Sequence, residues 1–293
     1  MLSLRKFCFV GSTQRCFKSE ELPADLSFNT TSITQTKSPF QPLDKSPSAL
    51  QLSTPAPAKR LLLTITEAQA MPVGEVLELE AEGLKGSRRS RRDGRTYAGH
   101  DQTYCDIVLP RDEFGVGSVH FVIEYNSVTS QYLLKDEGDG TGTFIKLTCP
   151  LPLQSYYILS FGSTHMTVIL TQQGDVTKLT LRFIEGPKTG QSFEYTSRTE
   201  VVKIGRMPDC SIKFEDTSLS RYQCCLQYSA AGWTLSDGDG SKPSTNGTWL
   251  FLDDYFQLET GTTFKAGMTL FRVRNSQAAI EADEDTAQAR LSP

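Results

Sequence analysis

The sequence predicts an all-β protein, two tandem β-sandwiches following a disordered amino-terminal tail. Three observations carry this expectation. From Arg60 onward the apolar residues come in short β-branched and aromatic runs broken by Gly, Asp, Pro and Asn, the pattern of many short strands. Nothing between the runs has the spacing of a long amphipathic helix. The runs also fall into two series that resemble each other.

The first series is LLLTIT (61–66), EVLELEAE (75–82), CDIVLP (105–110), VHFVIEY (119–125), QYLLKD (131–136), GTFIKL (142–147), YYILSF (156–161) and MTVIL (166–170). Most are rich in Val, Ile, Phe and Tyr and end at a Gly, Asp or Pro, so each reads as one strand closed by a turn. The second series is KLTLRFI (178–184), QSFEYT (191–196), VVKIGR (201–206), CSIKF (210–214), QCCLQY (223–228), GWTLSD (232–237), TWLFL (248–252), TTFKAG (262–267) and LFRVR (270–274). LTITEA (63–68) lies over LRFIEG (181–186), GEVLEL over GQSFEY, AGH (98–100) over IGR (204–206), Cys105 and Ile107 over Cys210 and Ile212, GSVHFVIEY over SRYQCCLQY, and GTGTFIKL over TNGTWLFL. Identities are few, but the common order makes duplication the economical explanation. The domains are expected at 61–172 and 178–275, each near the ~100 residues of a single sandwich.

Residues 1–60 differ in composition. TQTKSPFQPLDKSPSALQLSTPAPAKR is rich in Ser, Thr, Pro and Gln, so it is expected to be disordered. Ser38, Ser46 and Thr54 precede proline and are candidate phosphorylation sites. Residues 1–19 contain Arg5, Lys6, Arg15 and Lys18 and no acid, a composition compatible with a mitochondrial presequence. Apolar and basic faces do not separate on a helical wheel, so a disordered terminus is expected and mitochondrial targeting is the alternative. A disordered tail is also expected at 276–293. One insertion, EGLKGSRRSRRDGR (82–95), reads as a solvated hairpin loop, or functionally as a nuclear-import signal or phosphate patch.

A net charge of −4 argues against a chain-wide nucleic-acid coat. No apolar run approaches the ~18 residues of a membrane span, so no membrane partner is expected. Seven cysteines without a CxxC pair make a poor disulfide framework and a poor zinc site, pointing to small buried groups in a reducing compartment. With three histidines and no GxSxG, P-loop or metal-ligand spacing, neither enzymatic activity, a metal nor a cofactor is expected.

The polar residues at the strand ends of the second series carry the chemistry. Gly205-Arg206, Ser220-Arg221 and Thr245-Asn246-Gly247 stand at three breaks. Guanidinium forks, hydroxyls and an amide form a donor-rich, positive pocket without a general base, which suits a phosphate dianion. The order IGR…CxI…SLSRYQ…WxLSD…STNGTW resembles the forkhead-associated (FHA) domain, a reader of phosphothreonine peptides. The resemblance implies that Arg206 and Ser220 hold the phosphate, that Arg221 adds a basic contact, and that Thr245 and Asn246 fix the phosphothreonine region and peptide backbone. It covers 178 to about 274 well and the first series faintly. The family's histidine after Ser-Arg is Gln223 here, and its amide is expected to keep the bracing role. In the first series His100, Gly117-Ser118 and Thr141 stand at the contact positions, while His120 keeps the brace: a degenerate copy with its pocket lost.

The expected function is that of a non-enzymatic phosphothreonine-peptide-binding adaptor acting through the second domain, with affinity in the micromolar class. The alternative is a structural subunit using both sandwiches as interaction modules with little phospho-dependence. Expected partners are a phosphothreonine-containing protein or peptide and the chain's own phosphorylated tail, where Thr30 has Ile33 three residues on and Thr13 and Thr34 precede glutamine. The expected location is intracellular, in cytoplasm or nucleus.

Overall fold

The computed structural model describes residues 60–89 and 92–275, all within the unit that begins at Ala58. The expectations for residues 1–59 and 276–293 lie outside these. Among the described residues every regular element is a strand. The chain opens with β1 (Leu61–Glu67), β2 (Val76–Glu80), β3 (Gly83–Leu84), β4 (Arg95–Gly99), β5 (Ile107–Val108), β6 (Phe121–Asn126), β7 (Gln131–Asp136) and β8 (Thr143–Lys146). Three strands follow, β9 (Leu151–Pro152), β10 (Ile158–Phe161) and β11 (Thr164–Gln173). The pattern then repeats: β12 (Val176–Glu185), β13 (Ser192–Thr196), β14 (Val201–Gly205), β15 (Ile212–Lys213), β16 (Cys224–Ser229), β17 (Gly232–Asp237) and β18 (Trp249–Phe251), then β19 (Phe256–Gln257), β20 (Thr263–Ala266) and β21 (Thr269–Asn275).

These strands make two sandwiches over one shared sheet. An 11-stranded sheet runs β13-β12-β11-β10-β18-β8-β20-β21-β1-β2-β3, and two 5-stranded sheets run β15-β14-β16-β17-β9 and β19-β7-β6-β4-β5. The first core packs Leu61, Leu63 and Ile65 with Phe121, Ile123 and Leu134, and with Phe264, Phe271 and Val273. The second packs Leu179, Leu181 and Phe183 with Ile204, Leu226 and Trp233, and with Leu159, Phe161 and Met166. The division between cores therefore does not coincide with the expected boundary at 172–178. The last three strands of each repeat complete the other repeat's sandwich: β21 pairs with β1 and β11 with β12.

The connection between repeats gives the physical reason. Gln173 and Val176 are register partners, so only Gly174 and Asp175 separate β11 from β12. Gly174 has φ +59°, the geometry of a two-residue hairpin turn with glycine at its first central position. Such a turn obliges its flanking strands to pair with each other, and nine register pairs follow, from His165↔Glu185 to Gln173↔Val176. At the seam β8 lies against β18, with Ile145 opposite Leu250. There Lys265 Nζ from β20 sits 4.8 Å from the Trp249 ring and 5.2 Å from that of Phe144. Burial pushes its pKa down to about 8.

The duplication read from sequence holds in the register. Ala98 pairs with Ile107 as Ile204 does with Ile212, and Phe121 with Asp136 as Cys224 does with Asp237. The Arg-rich insertion closes a hairpin through β3, and three of its arginines, Arg89, Arg92 and Arg95, make contacts within the chain. Arg89 contacts Asp93 at 3.1 Å and Asp106 at 3.2 Å and lies over the Tyr97 ring; Arg92 donates to Leu84 O at 2.7 Å, and Arg95 meets Glu124 at 3.0 Å. Cys105, Cys224 and Cys225 are buried free thiols as expected, whereas Cys149 is exposed.

Candidate functional site

Each sequence-predicted residue lies on one of three connections that meet at one end of the second sandwich. The first leaves β14 at Gly205, where the backbone runs so close to Arg221 that an added Cβ would stand 3.0 Å from Tyr222 Cα and nearer still to the Arg221 carbonyl. Glycine alone permits this approach, and it lets Arg206 N reach Arg221 O at 3.1 Å and Ser220 O at 3.4 Å. The second connection, between β15 and β16, carries Ser220 and Arg221. The third, between β17 and β18, carries Thr245 and Asn246.

Hydrogen bonds tie the three together. Thr245 N donates to Ser220 Oγ at 2.8 Å, and the two hydroxyls lie 3.2 Å apart. Asn246 Nδ2 donates to Ser218 O at 3.3 Å, and Trp249 Nε1 donates back to Asn246 O at 3.1 Å. Arg206, Arg221, Thr245 and Asn246 are exposed and Ser220 is half-buried. Neither guanidinium has a carboxylate partner among the described residues. The nearby acid Asp209 is already engaged: hydrogen bonds from Lys203 and then the Tyr222 hydroxyl hold its carboxyl below the usual range.

The supports lie beneath. Gln223 is buried; its Oε1 accepts from Ser220 N at 3.3 Å, and its Nε2 stands 2.9 Å from Ser244 Oγ and 3.0 Å from Gly247 O. The glutamine thus braces two of the three connections, as expected. Asp237 accepts from Ser244 N at 2.9 Å, Ser244 Oγ at 2.7 Å and Thr248 Oγ1 at 2.7 Å, fixing the root of the third loop. Asp239 caps the turn before it, its carboxyl pulled down to about 2 by the Lys242 N–H and the Ser241 hydroxyl and N–H.

The same end of the first sandwich is built alike and finished differently. His120 Nδ1 accepts from Gly117 N at 3.1 Å, and burial lowers the imidazole's pKa. Asp136 takes the place of Asp237, accepting from Gly138 N at 2.7 Å, Thr143 N at 2.7 Å and Thr143 Oγ1 at 2.8 Å. His100 N donates to Gly117 O at 3.0 Å, as Arg206 N does to Ser220 O. Here the chain supplies its own anion: Asp139 Oδ2 accepts from Ser118 N at 2.5 Å and Val119 N at 3.4 Å. A Cβ on Gly117, where the second copy has Ser220, would meet the Asp139 carbonyl at 2.5 Å. Thr141 is turned back onto Gly115 O. Sequence reading missed Asp139: it lies in EGDGTG (137–142), and the corresponding loop of the second copy, GDGSKPSTNG (238–247), also carries an acid between glycines, Asp239, so composition gave no distinguishing signal.

Among the described residues no cluster of His, Cys, Asp and Glu could hold a metal ion, and no helix is long and apolar enough to cross a membrane. Residues 182–277, about a third of the chain, match the family model described as inner membrane component of T3SS, cytoplasmic domain. That family has the FHA type of fold, which agrees with the resemblance at the level of architecture. No curated protein matches the chain.

Proposed function

We propose that this chain is a non-enzymatic protein-interaction scaffold whose second loop cluster receives an acidic group of a partner protein, with phosphothreonine as the group that best suits its donors. The observation that carries the reading is that two exposed arginines, with no carboxylate partner among the described residues, and the Ser220–Thr245 hydroxyl pair stand on three connections tied by hydrogen bonds. A charge-assisted hydrogen bond is worth ~1.5–3 kcal/mol net. Ordering an extended peptide offsets much of the sum, which leaves affinity roughly in the micromolar range.

Phospho-independent docking is the second reading, and the family match favours it. The matched description names a component of a secretion assembly, which supports protein partners and a cytoplasmic location. Arg89, Arg92 and Arg95 of the 82–95 loop are engaged by contacts within the chain and lend little to a nuclear-import role. Titration calorimetry of the full chain with matched phosphothreonine, threonine and aspartate peptide libraries separates the two readings. Phospho-selective binding weakened at least about tenfold by Arg206→Ala supports the reader. Binding indifferent to phosphate and to that substitution leaves the scaffold alone.

A further inference from the structure

We infer that residues 61–275 encode two alternative strand pairings, and that the two-residue turn at Gly174–Asp175 selects the exchanged one. The inference is independent of what the loop cluster binds.

The exchanged triplets are interchangeable in register. β9, β10 and β11 begin at residues 151, 158 and 164, and β19, β20 and β21 at 256, 263 and 269, a constant offset of 105. Residues 147–150 precede the first triplet and 252–255 the second, connections of equal length. Thr64 pairs with Arg272, and at the equivalent place Arg182 pairs with Thr167. Even the irregularity is copied: the register slips between Ile65 and Glu67 opposite Phe271 and Leu270, and between Met166 and His165 opposite Phe183 and Glu185. The buried residues correspond too, Thr164, Met166 and Val168 on β11 with Thr269, Phe271 and Val273 on β21. Each triplet therefore presents the same pattern to either sandwich, and packing discriminates weakly between exchanged and contiguous arrangements.

The connection is what differs. In a contiguous pairing β11 would lie on β1 and β12 on β21, so Gly174 and Asp175 would have to link strands of separate sandwiches. Two residues span at most about 7 Å, and the turn is stitched shut: Gln172 Nε2 donates to Gly174 O at 2.7 Å, and Thr177 Oγ1 to Gln172 Oε1 at 2.8 Å. The contiguous match at 182–277, which contains the last four residues of β12 and β13 through β21, indicates that one repeat supplies the strands of a closed sandwich.

Cysteine pairs in the full chain read the pairing directly, because register partners in antiparallel strands lie within disulfide reach. Thr167→Cys with Arg182→Cys reports exchange, and Arg182→Cys with Arg272→Cys reports the contiguous form; peptide mapping of the oxidised protein identifies the bond. With the native turn only the first pair is expected to close. Inserting about twelve Gly/Ser residues between Gly174 and Asp175 weakens closure of the hairpin about twentyfold by loop entropy. The second pair is then expected to close in more than about a tenth of molecules. A Gly174→Val variant, strained at φ +59°, tests the turn without added length and is expected to shift the same way by a smaller fraction. Closure of the 182–272 pair with the native turn would overturn the inference, and so would its absence in both turn variants.

Discussion

The two loop clusters share a frame and differ in what completes it. Both rest on a buried brace, His120 or Gln223, and on an aspartate at the root of the third loop, Asp136 or Asp237. In the second cluster those supports hold outward-facing donors. In the first, Asp139 already accepts from the equivalent backbone. The difference teaches that the frame and the contact residues are separable. The first copy keeps its sandwich without Ser-Arg because the brace and the root aspartate do not depend on those side chains, and backbone donors beside them are taken by a carboxylate of the chain.

The frame is where the largest effects are expected. Asp237→Ala removes three acceptor contacts, to Ser244 N, Ser244 Oγ and Thr248 Oγ1, while Asp136→Ala removes three from Gly138 N, Thr143 N and Thr143 Oγ1. Each is expected to cost about 3 kcal/mol in urea unfolding. Only the Asp237 variant should also lose anion binding. Equal binding losses from both would mean that the first cluster holds ligand as well, and the comparison would fail.

Gly117→Ser restores the residue of the second copy to the first and should fail as a repair. Its Cβ would meet the Asp139 backbone, and overpacking of that kind typically costs about 2 kcal/mol. A neutral or stabilising outcome would show that the Asp139 loop yields, and that Asp139 fills the site less firmly than the hydrogen bonds indicate.

Ser220→Ala is the mirror test. Thr245 N loses its acceptor, and a bound phosphate loses a donor. Peptide affinity is expected to fall about tenfold in calorimetry, with stability down by about 1 kcal/mol. A loss in stability alone would make Ser220 a loop tie and leave recognition to the arginines.

Much of this was legible from the sequence, and what was not has physical causes. Every run read as a strand lies on a strand, because alternation and β-branching report the half-buried pleat directly. β4 was missed because its five residues follow an Arg-rich loop, and the two-residue strands β3, β9 and β19 are too short to show a period. Arg206, Ser220, Arg221, Thr245 and Asn246 stand out in the sequence as candidates because glycine and turn residues mark loop ends, and the structure brings their loops together. The exchange of strand triplets was invisible. Two repeats with identical register carry no compositional mark of which partner a strand takes, and the deciding feature, a linker of only Gly174 and Asp175, was passed over as an ordinary gap between domains. Asp139 escaped for a related reason: an acid in a turn reads as solvated unless its acceptor geometry is known.

The braces differ in one property, and it gives the smallest predicted effect. Gln223 does not titrate; His120 does. Burial holds the folded-state pKa of His120 below its ordinary 6.5, and its Nδ1 must stay unprotonated to accept from Gly117 N. A histidine depressed on folding contributes its full stability above about pH 6.5, and this is lost as pH falls, because the unfolded chain takes the proton more readily. The first cluster should therefore loosen between about pH 6.5 and 5 while the second does not. Amide exchange at Gly117, corrected for intrinsic pH dependence, is expected to accelerate over that range, with Ser220 unchanged. His120→Gln, copying the second brace, should flatten the response. Acceleration of similar size at both amides, or persistence in the His120→Gln variant, would place the sensitivity elsewhere and remove the brace as the element that separates the two clusters.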